Sequence, residues 1–267
     1  MNKIVSVRCF ECGSEEFDFS ELFTNSRYKT EKLPINVLHI EHKKFGNILI
    51  NTGCTECLKK NLTKYTKYKT VHKLSFSKKD SIIYQLEKED TDPLCIKKVL
   101  LTHCAPECCG ALPLLPKYEI VSSAQVLCAV KLGISDDLIL KGTMPSPEVP
   151  IKAVNVYNRI FWLDDYFKFV YDILGDGSVL GVDLRGHYSE MMGFYLPEYK
   201  LFYAADAAID ERVITEDLDP SEKLLEQQTY SDDYLSAIST LKRIHKEQPD
   251  VQIMFLHSKK ENFKVFD

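Results

Sequence analysis

Short apolar runs separated by turn residues recur along the whole chain and predict a mixed α/β protein. The helices are predicted at Asp80–Glu89 and Ser231–Glu247, where apolar residues recur at helical spacing. A shorter helix is predicted at Ala111–Leu115, and a turn at Lys43–Gly46. The strands of the first half, which are rich in β-branched and apolar residues, are predicted at Lys3–Phe10, Ile35–His42, Asn47–Asn51, Ile96–Thr102 and Glu119–Ser122.

Strands with the same pattern recur in the second half, and a polar residue follows several of the runs. These strands are predicted at Ile160–Leu163, Phe167–Val170, Val179–Leu184, Phe194–Tyr195, Leu201–Ala204 and Val251–Leu256. The residues that come shortly after a predicted strand are His103, His187, Asp206 and His257. Because a rigid sheet positions the side chains of the loops that leave it, these four are the first candidates for a functional site.

Composition and charge narrow the class of protein. The chain has 267 residues, of which 45% are hydrophobic and 27% charged, which is typical of a globular protein. No Pro/Gly/Ser-rich linker divides it, so a single domain over residues 1–267 is predicted. The net charge of −5 offers no basic surface for nucleic acid, so no nucleic-acid partner is expected. The sequence carries no signal for the oligomeric state.

The apolar runs and the first residues of the chain predict the cellular compartment. No run approaches the roughly 20 residues of a membrane span, and the first ten residues show strand-like alternation instead of an export signal. We therefore expect a cytoplasmic protein whose nine cysteines are reduced. Nine is a high number for that compartment. Cys95 and Cys128 are interpreted as core or near-core residues, because a free cysteine packs as a small hydrophobe.

The order of several segments resembles the metallo-β-lactamase superfamily, and above all its lactonase-like branch. The resemblance extends over nearly the whole chain and implies a four-layer αβ/βα sandwich with a metal site at the edge between its sheets. The matching segments are Leu33–Gly53, Val99–Pro116, Leu174–Leu196, Lys200–Ile209 and Ile253–Ser258.

The family's metal motif, TH-x-H-x-D-H, is only partly present. His103 keeps the position of the first ligand, whereas Ala105 stands where the second histidine belongs and cannot bind a metal. Glu107 replaces the aspartate, and Cys108 replaces the third histidine. Asn51 stands where the family's D-T-G aspartate supports a ligand histidine, which agrees with the loss of that histidine.

The other ligand positions of the family are kept. His187 matches the histidine of the GH motif, Asp206 matches the bridging aspartate, and His257 matches the last histidine. The resemblance thus implies a modified site for one or two ions of Zn or Fe, with a single ion expected, because thiolate, imidazole and carboxylate all bind these metals. The implied ligands are His103, Glu107, Cys108, His187, Asp206 and His257, and the implied catalytic residues are His103, His187 and Asp206.

Two C-x-x-C pairs stand outside this motif, at Cys9/Cys12 and at Cys54/Cys57. If the first and third strands run in the same direction, both pairs lie at one sheet edge and approach each other. They could bind a structural zinc ion, ligate an iron–sulfur cluster, or serve as thiols in redox chemistry. They could equally be reduced cysteines beside turns, and the sequence does not choose among these alternatives.

The resemblance implies the hydrolysis of a small ester, lactone or thioester. Residues 59–79 and 136–153 are expected to shape the entrance of the site. Tyr188 or Tyr195 could polarise a substrate oxygen, and Cys104 or Cys109 could act as an alternative nucleophile. Two other functions stay open: an inactive binding protein that keeps the fold, and a thiol-rich metal or iron–sulfur redox protein.

Overall fold

The structure is a computed structural model that describes residues 2–58, 68, 71–135, 138–139, 142–154 and 162–263. The described residues form two compact units. The first contains residues 2–15 and 34–153, and the second contains residues 16–33 and 154–263. The single domain predicted from the sequence stays a prediction.

Strands and short helices alternate along the chain. The strands are β1 (Ile4–Asp18), β2 (Thr30–His42), β3 (Gly46–Ile50), β4 (Lys73–Ser75), β5 (Ile96–Leu100), β6 (Glu119–Ser122), β7 (Ile134–Ser135), β8 (Leu138–Ile139), β9 (Ile151–Ala153), β10 (Val170–Asp172), β11 (Leu180–Asp183), β12 (Met192–Leu196), β13 (Leu201–Ala205) and β14 (Gln252–Phe255). The α-helices with both ends described are α1 (Phe19–Leu22), α2 (Ile82–Lys88), α3 (Pro106–Cys109), α4 (Ala124–Leu132), α5 (Arg212–Thr215), α6 (Glu222–Leu225) and α7 (Ser231–Glu247).

A mixed sheet of seven strands, in the order β4-β1-β2-β3-β5-β6-β9, supplies the framework of the first unit. Strands β2 and β3 form an antiparallel hairpin, and β3, β5, β6 and β9 are parallel to one another. The central strands β3 and β5 consist mainly of buried aliphatic residues, as expected for parallel strands covered on both faces. The carboxyl ends of β3 and β5 therefore lie side by side.

The second unit contains a sheet of five strands in the order β10-β11-β12-β13-β14. Its first four strands are antiparallel, and β14 joins β13 in parallel. Every residue of β12 and β13 is buried. The pairing of β13 with β14 is irregular between Tyr203 and Ala205, which leaves Ala204 as an extra residue in β13. Ala205 then adopts the left-handed conformation, with φ of 51°.

The hydrophobic pattern predicted several elements with their observed bounds. Helix α7 and strand β6 have the predicted limits. Strand β1 continues to Asp18, eight residues beyond the predicted end at Phe10.

Other predictions were wrong. The strand predicted at Ile160–Leu163 lies partly outside the described residues, and Leu163–Asp165 is a 3₁₀ turn because Leu163 O accepts from Tyr166 N and Phe167 N. Of Phe167–Val170, only Val170 belongs to a strand. The helix predicted at Ala111–Leu115 is a 3₁₀ turn at Leu112–Leu114, and the true helix α3 precedes it.

The prediction that Cys95 and Cys128 are core or near-core residues was also wrong, since both are exposed. Cys128 lies on the solvent face of α4, in line with the exposed residues Ala124 and Leu132 at helical spacing. Cys95 ends a 3₁₀ turn that precedes β5.

Parts of the two insertions, residues 59–67, 69–70, 136–137 and 140–141, lie outside the described residues. None of the helices in the described part of the chain is both long enough and apolar enough to cross a bilayer.

Candidate metal centre

The first group of candidate residues lies at the adjacent carboxyl ends of β3 and β5. Asn51 N donates to Leu100 O over 2.9 Å, which continues the parallel pairing one residue beyond β3. Thr52 donates its hydroxyl proton to Cys108 O at 2.9 Å and accepts from Ala111 N at 3.1 Å. The Thr52 side chain therefore fastens helix α3 to the end of β3.

Helix α3 is a single turn that begins at Pro106, directly after Ala105. Proline is favoured there because the first helical residue needs no intrahelical N–H donor. The turn is closed by Cys108 N and Cys109 N, both of which donate to Ala105 O. Close packing holds it in place, since a β-carbon on Gly110 would lie 2.4 Å from Gly53 O. Glu107 and Cys108 are consequently both buried.

His103 and Cys108 are brought into contact by this arrangement. The Cys108 Sγ lies 3.9 Å from His103 Nε2 and 4.0 Å from Nδ1, and both residues are fully buried. An imidazole and a thiol that are adjacent and shielded from water are two of the ligand types preferred by zinc and ferrous iron.

A chain of hydrogen bonds connects His103 to Asn51. Asn51 Oδ1 accepts from Thr102 N at 3.0 Å and from Thr102 Oγ1 at 3.1 Å. Thr102 Oγ1 in turn lies 3.0 Å from His103 Nδ1. Asn51 Nδ2 is buried and has no hydrogen-bond partner within the described part of the chain. Asn51 has φ of 60°, a left-handed conformation that asparagine tolerates better than most residues.

Glu107 is held by a residue that the sequence analysis missed. The Tyr68 hydroxyl donates to Glu107 Oε2. The Tyr68 ring stacks on His72, with 4.2 Å between ring centroids, and His72 Nδ1 lies 2.9 Å from Glu15 Oε1. Tyr68 lies in a Lys/Thr/Tyr-rich segment of weak periodicity, so no pattern distinguished it from neighbouring tyrosines.

The second group of candidates lies in the second unit, at the ends of the parallel strands β13 and β14. Asp206 follows β13 directly, and His257 comes two residues after β14. His257 Nε2 lies 3.5 Å from Asp206 Oδ1, and both side chains are largely buried. The Phe17 ring packs edge-on against the His257 imidazole with centroids 4.7 Å apart. Burial, together with the charge of Asp206, raises the pKa of Tyr234 above its usual range.

His187 is oriented by Gln228, which is also in the second unit. Gln228 Nε2 donates to Leu224 O at 2.7 Å, so the amide must present its oxygen to the histidine. His187 Nδ1 lies 2.9 Å from that Oε1 and must be the donor. In the neutral imidazole Nε2 is then the nitrogen that carries a lone pair.

Cys12 and Cys54, one residue from each C-x-x-C pair, lie next to each other. Cys54 N donates to Cys12 O at 2.9 Å, and Cys9 Sγ donates to Asn36 Oδ1 at 3.4 Å. Burial raises the pKa of the Cys12 and Cys54 thiols, and the nearby Glu107 carboxylate raises that of Cys54 further. None of the nine cysteines, all of which lie within the described residues, forms a disulfide. A second metal ion or cluster on Cys9, Cys12, Cys54 and Cys57 stays a prediction.

The alternative nucleophile is not favoured by its surroundings. The pKa of Cys109 is raised well above its usual range, first by a hydrogen bond with Cys104 and then by burial. Cys104 Sγ also donates to Val126 O at 3.5 Å. Because the thiolate is the nucleophilic form, a raised pKa argues against Cys109 in that role.

Comparison with known proteins gives a clear result for structure and none for sequence. No protein-family model matches the chain, and a search of curated proteins finds no match. Among solved structures, an N-acyl homoserine lactone hydrolase with N-hexanoyl-L-homoserine bound at its catalytic metal centre is similar over 98% of this chain and 96% of its own. The TM-score is 0.70 at 15% sequence identity.

Two further solved structures are also similar to this chain. A probable metal-dependent hydrolase from Staphylococcus aureus gives a TM-score of 0.65 at 12% identity, covering 97% of this chain and 91% of its own. The dizinc quorum-quenching lactonase AidC gives 0.55 at 15% identity, with coverages of 96% and 85%. The chain therefore has the metallo-β-lactamase fold, within the α/β class predicted from its sequence, and resembles the lactonase-like proteins that share this fold.

Proposed function

We propose that this protein is a metal-dependent hydrolase that acts on a small ester, lactone or thioester. The observation that carries the proposal is the buried contact between His103 and Cys108, with 3.9 Å between Nε2 and Sγ. Among the similar structures, one is an N-acyl homoserine lactone hydrolase with its product bound at a catalytic metal centre, and another is a dizinc lactonase. A shared fold at 15% identity does not fix a reaction, so the support for the same chemistry here is the set of imidazole, thiol and carboxylate side chains at the family's ligand positions.

The residues present fit a zinc or iron ion. Imidazole, thiolate and carboxylate are the donor types that both metals accept, and the buried imidazole–thiol contact and the Asp206–His257 pair place such donors next to each other within each unit. We assign one ion to a ligand set drawn from the family positions; a second ion is the alternative. That set is His103, Glu107, Cys108, His187, Asp206 and His257.

Glu107 is the ligand whose role depends most on local geometry. Its Oε2 accepts a hydrogen bond from Tyr68, which ties one of the two carboxylate oxygens to a protein donor. A glutamate also carries its carboxylate one methylene further from the backbone than the aspartate of the family motif. Of the six proposed ligands, Glu107 is therefore the one that we expect to contribute least to metal affinity.

The proposed reaction is the addition of water to an acyl carbon, followed by cleavage of the bond to the leaving oxygen or sulfur. When bound, zinc or ferrous iron supplies Lewis acidity that activates water and polarises a carbonyl group. Asp206 would orient the attacking water through its carboxylate. The Nε2 of His187 or of His103, where it is not a ligand, would accept the proton from water and return it to the leaving group.

Metal content tests this proposal first. We expect anaerobically purified protein to carry about one zinc or iron ion per chain. Asp206→Ala combined with His257→Ala should reduce the bound metal to less than about a tenth, because two of the six proposed ligands are lost. The matched control is Asp232→Ala with His245→Ala, which removes the same two side-chain types from exposed positions on α7. Metal content that is equal in both double variants would contradict the site assignment.

Hydrolysis assays test the proposed catalytic activity. The parent protein should hydrolyse at least one of an acyl homoserine lactone, an aryl ester and an acyl thioester, and the Asp206/His257 double variant should not. Retained metal with no hydrolysis of any of the three would favour the inactive binding protein. Visible absorption bands typical of iron–sulfur clusters that disappear in a Cys12→Ser/Cys54→Ser variant would instead favour the redox alternative.

A further inference from the structure

The protonation of the hydrogen-bond chain at Asn51 can be deduced from its donors and acceptors alone. Thr102 N is a backbone donor, so the side-chain atom of Asn51 that faces it at 3.0 Å must be the carbonyl oxygen. This contact fixes the orientation of the amide. The Thr102 hydroxyl lies 3.1 Å from the same oxygen, which has no proton to offer, and therefore the hydroxyl must donate.

The consequence extends to the histidine. A threonine hydroxyl has a single proton, and in this structure that proton is directed to Asn51. Thr102 Oγ1 can then only accept from His103 Nδ1, which is 3.0 Å away. We infer that Asn51 and Thr102 are positioning residues that hold His103 in the Nδ1–H tautomer, so that Nε2 carries the lone pair.

Burial strengthens the preference for one tautomer of His103. Asn51, Thr102 and His103 are each fully buried. Reversing the tautomer would turn the Thr102 hydroxyl proton from Asn51 Oδ1 to His103 Nδ1, and Asn51 Oδ1 would then accept from Thr102 N but no longer from the hydroxyl. The reversal costs one buried hydrogen bond, so we expect the Nδ1–H form to exceed the other by up to about tenfold.

This role differs from the one that the family motif implied. The sequence resemblance placed Asn51 where a carboxylate supports a ligand histidine that this chain has lost. The structure uses the Asn51 oxygen to support the first motif histidine through Thr102. If His103 binds a metal, as the proposed function requires, Asn51 and Thr102 decide which nitrogen is offered.

The experiment reads the tautomer directly and needs no metal. Long-range ¹H–¹⁵N correlation spectra of ¹⁵N-histidine-labelled, metal-free protein at about pH 8, where a histidine of ordinary pKa is neutral, distinguish Nδ1–H from Nε2–H. The His103 signals are assigned from their loss in His103→Gln. We expect the parent to show the Nδ1–H form.

Two variants should change the tautomer of His103, and each has a matched control. Asn51→Gly removes the acceptor but suits the left-handed φ, so the Thr102 hydroxyl can donate to Nδ1 and the tautomer should change to Nε2–H. Asn51→Asp keeps an acceptor oxygen and should keep the parent form. Thr102→Val removes the hydroxyl and should give a measurable Nε2–H fraction, whereas Thr102→Ser should not.

Each outcome decides the matter. An Nε2–H form in the parent, or an unchanged tautomer in the folded Asn51→Gly or Thr102→Val variant, would overturn the inference; if one variant does not fold, the other is sufficient. In the metal-binding protein, zinc affinity should fall by about 10–100-fold in the same two variants. The expected tautomers in a protein that binds no metal would support this inference and reject the proposed function.

Discussion

The α-carbon of Gly186 lies directly against the backbone of Tyr234: a β-carbon at position 186 would fall 2.4 Å from Tyr234 N and 2.5 Å from its Cα. Gly186 O also accepts from Tyr230 N at 2.9 Å, which joins the start of α7 to the residue before His187. Gly186 also has a φ of 141°, a backbone conformation that favours glycine. The position of His187 thus depends on a backbone contact that no side chain can enter.

Gly186→Ala is expected to destabilise the protein strongly. The added methyl overlaps backbone atoms that cannot rotate away, and the conformation is strained for alanine, so the free energy of unfolding should fall by about 3 kcal/mol or more. Urea unfolding measures this. Gly175→Ala is the control, because Gly175 has a left-handed φ of 79° but no neighbouring atom within 4 Å. Its expected cost is only about 1–2 kcal/mol, and equal costs would refute the contact argument.

A pH dependence of stability is predicted from His39. Its Nδ1 accepts from Arg8 Nη2 at 3.1 Å, and Nε2 donates to Asn47 Oδ1 at 3.1 Å. Burial and the charge of Arg8 lower the pKa of His39 to about 4, against roughly 6.5 in the unfolded chain. The native state therefore binds fewer protons between these values, and stability is lost as pH falls from about 6.5 towards about 4.

The size of this effect can be isolated by substitution. At about pH 4.5 the loss from His39 relative to pH 7 should be roughly 2–3 kcal/mol. His39→Gln keeps a donor and an acceptor but does not titrate, so its urea midpoint should fall less between the two pH values. The exposed His245 supplies the control, and His245→Gln should follow the parent. Parallel curves for the parent and His39→Gln would show that the pKa is not lowered.

Tyr68→Phe tests the contact with Glu107. The substitution removes a donor from a buried carboxylate, so we expect the free energy of unfolding to fall by about 1.5–3 kcal/mol. Tyr118→Phe is matched to it, because the Tyr118 hydroxyl donates to the neutral carbonyl of Leu112 at 2.7 Å. The control should cost about 0.5–1.5 kcal/mol. A smaller loss for Tyr68→Phe than for Tyr118→Phe would mean that Glu107 does not depend on Tyr68.

Gln228→Leu tests the orientation of His187. Without the Oε1 acceptor, the Nδ1–H tautomer of His187 loses its partner, and the hydrolysis rate and metal affinity should each fall by about 10–100-fold. Gln227→Leu, at the exposed neighbouring position, should leave both unchanged. Far-UV circular dichroism checks that α6 and α7 persist. Unchanged rates and unchanged affinity in Gln228→Leu would remove His187 from the proposed site.

The part of the fold that the sequence could predict is the part that depends on local burial patterns. Helix α7 has one buried face that repeats at helical spacing, and its bounds follow from that repeat. The positions of His103, Asp206 and His257 beyond strand ends were predictable for the same reason, because each follows a buried apolar run.

The partners of the candidate residues could not be predicted in this way. Tyr68 and Glu107 are 39 residues apart, and their contact depends on how the chain returns to α3. Asn51 was interpreted as a lost carboxylate, whereas its oxygen binds Thr102 across 51 residues of sequence. Such contacts leave no periodic pattern, since a single polar pair contributes too little to the alternation of apolar and polar positions.

The extra residue in β13 makes the length of that strand as important as its composition. Successive side chains of a strand point to opposite faces, and the irregular pairing at Ala204 therefore sets the direction in which the chain delivers Asp206 beside β14. Deleting Ala204 would keep Asp206 in the sequence and still turn its carboxylate away from His257. In a related protein, an aspartate should be regarded as equivalent to Asp206 only if the same number of residues separates it from the residue that corresponds to Leu201.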